Sequence, residues 1–330
     1  MQKKHPAPST TSKRHRFLNG TMAVAALLCV AGIVSGAVLG VWLKKTFFTG
    51  YTKTDYSNLS EAELRDNVEA ILAEGYGTKT PTKNRDALIK GYLAAEANGL
   101  QADNFFTFAN SFVDMGITTQ TSYSDKTFDG TTVVSNTASN GMIKFAEQVT
   151  YTVGSDEITL IRDQNISTHT RGTLDCPFSC RFHQKPNAII TSNYTATPRT
   201  QSHADYVAAT GASPYSFLTY IVSSKTVVNN PADTFHTVDL ADGSTGWAFT
   251  LQLNPRTAVL NTAKQMKYLS GLADYPTFTA VKLDVVLCQI QGKIYLKTID
   301  ITEKYVVPYG MLSPQGTGYT HQEFTFNQAA

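Results

Sequence analysis

The stretch Phe278-Thr-Ala-Val-Lys-Leu-Asp-Val-Val-Leu-Cys-Gln-Ile290, Gln291-Gly292, Lys293-Ile-Tyr-Leu-Lys-Thr-Ile-Asp-Ile-Thr-Glu-Lys-Tyr-Val306 decides the fold class. Apolar residues recur every second position on both sides of a two-residue Gln-Gly break. Period-two alternation puts one face of a strand on a core, and the Gly-containing pair supplies the tight turn of a hairpin. Two strands of this length predict an antiparallel sheet.

Outward from the hairpin the pattern stays antiparallel. Phe105–Met115, Thr118–Phe128, Met142–Val153 and Glu157–Arg162 read as a strand meander rich in aromatics and threonine. Residues 164–187 read as irregular, broken by Gly172, Pro177 and Pro186. Ala188–Thr195 is an expected strand. Others are expected near Thr226, over Phe235–Leu240 and Trp247–Leu253, and from Tyr319 to Phe326. Helices are expected over Ser60–Glu74, where Ser60 and Glu63 form a capping box and Gly75 the stop. A second runs about Asn84–Ala97, burying Leu88, Ile89, Tyr92 and Leu93. A third runs Ser202–Ala209, with a helical turn near Pro214–Tyr220, and a fourth is opened by Asn254-Pro255 and runs to about Leu269. Strands in antiparallel runs, not alternating one to one with helices, indicate an α+β fold: a curved, half-barrel-like antiparallel sheet with helices packed on one side.

The other decisive feature is the start of the chain. From Phe17 to Leu43 no residue is charged, between Lys13-Arg14-His15-Arg16 and Lys44-Lys45. As a helix that run would span a hydrocarbon core of about 30 Å. The expected organisation is a disordered basic cytoplasmic tail (1–16), a single transmembrane helix (17–45), a linker (46–58) and an extracytoplasmic domain (59–330). A cleaved signal peptide is the rival reading, with Ser35-Gly-Ala37 as its cleavage site. The apolar run continues past that site to Leu43, which favours an anchor. Leu28 before Cys29 argues against a lipoprotein signal. More basic residues precede the span than follow it, which orients the N-terminus to the cytoplasm. Gly32, Gly36 and Gly40 lie four residues apart on one helix face, a pattern for a homodimer within the membrane; glycine is also common in membrane helices for other reasons.

Charge is unevenly placed. All 26 acidic residues lie beyond position 50, against 21 of the 28 basic ones, so the part after the anchor carries a net charge of −5. That balance argues against nucleic acid as a partner. Cys176 and Cys180, spaced C-x3-C, could form a disulfide, stay as free thiols or, with His183, supply half a metal site; the spacing is not that of thiol oxidoreductases. Cys288 is left over. Asn58, Asn165 and Asn193 head N-x-S/T triplets, about as many as chance supplies in so Ser/Thr-rich a chain.

Catalytic signatures are lacking. No G-x-S-x-G elbow occurs, the exported part carries no S-x-x-K, and no H-E-x-x-H, P-loop or dinucleotide fingerprint is found. His169, His183, His203, His236 and His321 are scattered. Glu147 and Glu303 fit the solvent-facing positions of strands better than a glycosidase pair. Phe105, Phe106, Phe108, Phe112, Phe128, Phe145 and Tyr151 fit a core better than a cavity lining. Asp274-Tyr-Pro276 reads as a turn, with a ligand contact as the alternative. No catalytic residue, metal or cofactor is expected.

Gly141-Met-Ile-Lys-Phe-Ala-Glu-Gln-Val-Thr-Tyr-Thr-Val153, the segment Tyr206–Ile221, Gln265-Met-Lys-Tyr-Leu-Ser-Gly-Leu-Ala-Asp-Tyr-Pro-Thr-Phe278 and Thr302-Glu-Lys-Tyr-Val306 resemble uncharacterised membrane-anchored extracytoplasmic proteins of Firmicutes. The resemblance covers roughly residues 60–310 and implies location but no activity. Element order is also similar to lipoprotein carriers of the LolA/LppX type, which implies a half-open barrel around helices and a lipid or other hydrophobic envelope component as ligand. Two readings follow: a binding module with such a ligand, or a structural or sensor protein of the cell envelope with none.

Overall fold

The Gln291-Gly292 turn closes as its sequence predicts, with φ of 49° and 82°, the doubly positive geometry that matches strand twist. The computed structural model describes residues 50–115, 119–141, 144–163, 167–173, 186–191, 196–308 and 312–326, which fall in one unit, Thr49–Ala330. Its helices are α1 Glu61–Leu64, α2 Val68–Ala73, α3 Arg85–Leu100, α4 His203–Thr210 and α5 Leu260–Ser270. Its strands are β1 Phe105–Asp114, β2 Thr119–Phe128, β3 Thr132–Asn140, β4 Phe145–Thr152, β5 Glu157–Asp163, β6 Ser167–Thr173 and β7 Pro186–Thr191. They continue with β8 Arg199–Ser202, β9 His236–Asp239, β10 Thr245–Leu253, β11 Thr277–Ile290, β12 Lys293–Val306 and β13 Gln315–Thr325.

Eleven strands form one antiparallel sheet in the order β8-β5-β4-β3-β2-β1-β13-β12-β11-β10-β9, and β6 pairs with β7 separately. The large sheet has two free edges and is not closed. The last strand, β13, inserts between β1 and β12 and joins the meander to the long hairpin. The strand β7 lies against β2 and β3.

The core sits where α3 meets β12. Leu88 and Tyr92 are wholly buried there, as are Leu283, Leu287 and Ile294. Asn98 is buried too, and its amide donates to the carbonyls of Gly77 (2.9 Å) and Ile294 (2.8 Å), so helix and strand share a polar lock. Asn84 caps α3 through Ala87 N (3.0 Å), and the helix runs on through Asn98-Gly99 to Leu100, past its expected end.

Several expectations are corrected. Ser60–Glu74 is not one helix, and Ser60 makes no cap hydrogen bond. The chain breaks at residues 65–67 because Asp66 accepts from Ser224 N (2.6 Å) and Ser224 Oγ (2.7 Å). Asn67 then caps α2 through Ala70 N (3.1 Å). The helix expected from Asn254 starts only at Leu260, since the Ala258 carbonyl is taken by Ile221 N (2.8 Å). Residues 214–220 form turns, not a helix. Strand β3 was not predicted, and β6 lies in the stretch read as irregular.

The expected linker is seen from residue 50 onward, and it is tied down. Lys53 pairs with Asp274, Thr54 N donates to Thr277 Oγ1 (3.3 Å), and Tyr56 Oη donates to the Pro276 carbonyl (3.1 Å) while meeting Tyr275 edge-on. Asp274-Tyr-Pro276 thus clamps the incoming chain. Residues 17–45, with Gly32, Gly36 and Gly40, lie outside the described residues. Among the described residues no helix is long and apolar enough to cross a membrane.

Candidate functional site

One face of the strands β1 to β4, β13 and β12 lines a cavity of about 340 Å³. Registry fixes its floor. Across the sheet, Glu147, Thr137, Ser124, Ala109 and Gln322 stand in one row. Phe145, Ser139, Ser122, Ser111 and Thr320 form the next row, and Val149, Ser135, Lys126 and Thr107 the row on the other side. Residues two apart share a face of a strand, so alternate Ser and Thr on three consecutive strands make a hydroxyl-lined floor.

The opposite wall comes from α4, α5 and the irregular segment 211–222 between them and the sheet. Phe217 anchors that segment, edge-on to Phe105 (ring centroids 4.9 Å apart) and to Phe324 (5.3 Å). Thr219 and Thr262 hydroxyls bond at 2.9 Å, and the Phe217 carbonyl accepts from Gln322 Nε2 at 3.4 Å. Met266 and Leu269 of α5, with Leu218, put an apolar patch on this wall beside Thr219, Thr262 and Gln265. The lining is therefore mixed: rows of hydroxyls on the sheet, and an aliphatic patch among polar groups opposite.

Four charge-bearing side chains line it: Asp125, Lys126, Glu147 and Glu303; Asp125 accepts from Asn136 Nδ2 at 2.7 Å. Glu147 is 2% exposed; Arg162 Nη1 approaches its Oε2 at 3.5 Å, yet that oxygen accepts no hydrogen bond. Burial raises its carboxyl above the usual range, against Arg162 and Arg199. Arg162 itself is fixed by the Leu269 carbonyl (2.6 Å) and by the Phe145 ring, 4.8 Å from its guanidinium carbon. Glu303 accepts from the Tyr220 hydroxyl, and burial pushes its carboxyl up to about 7. Lys126 donates to the Ser216 carbonyl, and burial pulls its ammonium down to about 7.

The sequence placed Glu147 and Glu303 toward solvent, and the structure turns both inward. In the sheet order β3, β2, β1 and β13 lie between their strands. Of the aromatics expected in the core, Phe105, Phe108, Phe112, Phe128, Phe145 and Tyr151 are buried, Phe106 is 40% exposed, and Phe145 also lines the cavity. His203 bonds to Ser213 Oγ (3.0 Å) and stacks on Tyr151; His236 bonds to the Thr234 carbonyl (2.8 Å). His321 lies between Asp300 (2.6 Å) and Glu323 (3.1 Å) on the far face of the sheet from the cavity rows. Cys288 is a buried free thiol, pushed up to about 11 by burial. Cys176, Cys180 and His183 lie outside the described residues, as do the side chains of His169, Asn165 and Asn193. No cluster of metal-ligating side chains is found among the described residues.

No family model matches this chain, and no curated protein sequence does. A DUF1329 family protein from Desulfovibrio piger aligns over 73% of this chain and 92% of its own, at 9% identity and a TM-score of 0.20. A porin-like protein from Bacteroides uniformis aligns over 69% of this chain and 98% of its own, at 8% identity and the same TM-score of 0.20. A TM-score of 0.20 is too low for either to fix this fold or its ligand.

Proposed function

We propose that the domain is a binding module for an amphipathic envelope component, held outside the cell by a membrane helix at residues 17–45. The observation that carries the reading is the cavity's mixed lining. Its aliphatic patch of Met266, Leu269 and Leu218 suits a hydrocarbon chain, and its Ser/Thr floor suits a polar head. In this reading the open sheet acts as a half-barrel around its ligand. The uncharged run, its basic flanks and the acidic body beyond it support the location. Gly32, Gly36 and Gly40 support pairing of two copies within the bilayer. The resemblance to membrane-anchored proteins of Firmicutes agrees with that placement.

Thr137 sits mid-floor, so a larger side chain there would take up space inside the cavity. The full chain in nanodiscs is expected to enhance the fluorescence of N-phenyl-1-naphthylamine, above the signal of empty nanodiscs. Thr137→Trp should cut that enhancement at least about fivefold at unchanged circular dichroism. Equal enhancement in both proteins would exclude the cavity as the binding site and leave the structural or sensor reading.

A further inference from the structure

The charges in the cavity are not equally satisfied. Glu147 faces Arg162, Glu303 accepts from Tyr220, and Asp125, which alternates with Lys126 along its strand, accepts from Tyr123 and Asn136. Lys126 faces no carboxylate: its partner is the Ser216 carbonyl, and no charged group offsets its burial. An ammonium has three donors, so the carbonyl leaves two of them without a protein acceptor. Directly across the strands on either side stand Thr107 and Ser135, at the spacing where opposed side chains meet. Neither hydroxyl is bonded to another side chain or carbonyl among the described residues, and both line the cavity. A half-buried cation without a counter-charge is costly, and the cost disappears when an anion arrives with it.

We propose that Lys126, Thr107 and Ser135 form an anion subsite that holds the phosphate or carboxylate group of the cavity's ligand. Lys126 supplies the charge and the two hydroxyls supply further donors, a set that favours an oxyanion over a neutral hydroxylated head. The proposal rests on the reading of the cavity as an amphiphile site and narrows its ligand to an anionic one. The lowered ammonium fits this, because a bound oxyanion would return it toward its ordinary range.

Titration calorimetry of the full chain in phosphatidylcholine nanodiscs, with empty nanodiscs as the blank, tests it with octyl phosphate, octyl glucoside and inorganic phosphate. Wild type should bind octyl phosphate at least about tenfold more tightly than octyl glucoside. Lys126→Gln, which keeps a donor for the Ser216 carbonyl, should weaken octyl phosphate about tenfold and octyl glucoside less than twofold; Lys126→Arg should restore most of the loss. Inorganic phosphate binding as tightly as octyl phosphate, and depending on Lys126, would support the subsite and make free phosphate its source. Equal affinities for the two amphiphiles, unmoved by Lys126→Gln, would overturn the anion subsite and leave the cavity reading intact. Binding of none of the three would overturn both. Should Lys126→Gln fail to fold, the wild-type preference between the two amphiphiles decides alone.

Discussion

Gly211→Ala should destabilise the domain by more than about 3 kcal/mol, while Gly243→Ala should cost only about 1 kcal/mol. Both glycines have nearly the same backbone, with φ of 80° and 79°, so both substitutions incur the left-handed penalty. Their surroundings differ. A Cβ on Gly243 meets nothing within 4 Å, whereas on Gly211 it would lie 2.6 Å from Asn261 Cα and 2.8 Å from the Asn261 carbonyl oxygen. Those are backbone atoms of α5 and cannot rotate away. Gly211 also caps α4, its N–H donating to the Val207 carbonyl at 2.7 Å. Forcing α4 from α5 would move the wall that carries Met266 and Leu269, so ligand affinity should fall with stability. Urea denaturation of the two variants checks this; equal midpoints would mean that α4 and α5 are not packed as described.

The second large effect is on pH. Burial raises the Glu303 and Glu96 carboxyls to about 7 each, and that of Glu147 in the same direction. An acid whose folded value lies above its unfolded one binds its proton more tightly when folded. Its stabilisation is complete below about pH 4.5 and is lost as the pH rises through 7. His321, raised by Asp300 and Glu323, acts in the same direction: its contribution is full below pH 6.5 and fades above. Lys126, pulled down to about 7, acts oppositely, but only from about pH 7 upward. The window from pH 5 to 6.5 therefore isolates the carboxyls, and stability should fall across it by about 2–4 kcal/mol. Glu303→Gln, which can still accept from Tyr220, should remove about 1–2 kcal/mol of that fall. A flat profile in wild type, read by urea midpoints, would show that these carboxyls are hydrated.

Much of this architecture is legible in the sequence. The hairpin at Gln291-Gly292, the buried stripe of α3, the extent of α4 and the strands around Phe105 and Trp247 all follow from local pattern, because there the buried face is apolar. The misses share a cause. Strand β3 turns Ser135, Thr137 and Ser139 inward, so it lacks the apolar alternation by which a strand is recognised. Glu147 and Glu303 look solvent-facing for the same reason: alternation tells which residues share a face but not what that face meets. One signal was present. Ser111, Ser122, Ser124, Ser135, Thr137 and Ser139 repeat with period two on neighbouring strands, which marks a polar interior surface. Breaks set by distant partners, such as Asp66 with Ser224 in the first helix, leave no local trace.

The central claim is that the space between the hydroxyl floor and α5 holds an amphipathic molecule. Native mass spectrometry of the full chain released gently from detergent tests it most directly. Wild type should carry a near-stoichiometric added mass, identified after denaturing extraction as one amphiphile and lost in Thr137→Trp. A single bare-chain mass for wild type, with no molecule recovered on extraction, would contradict it.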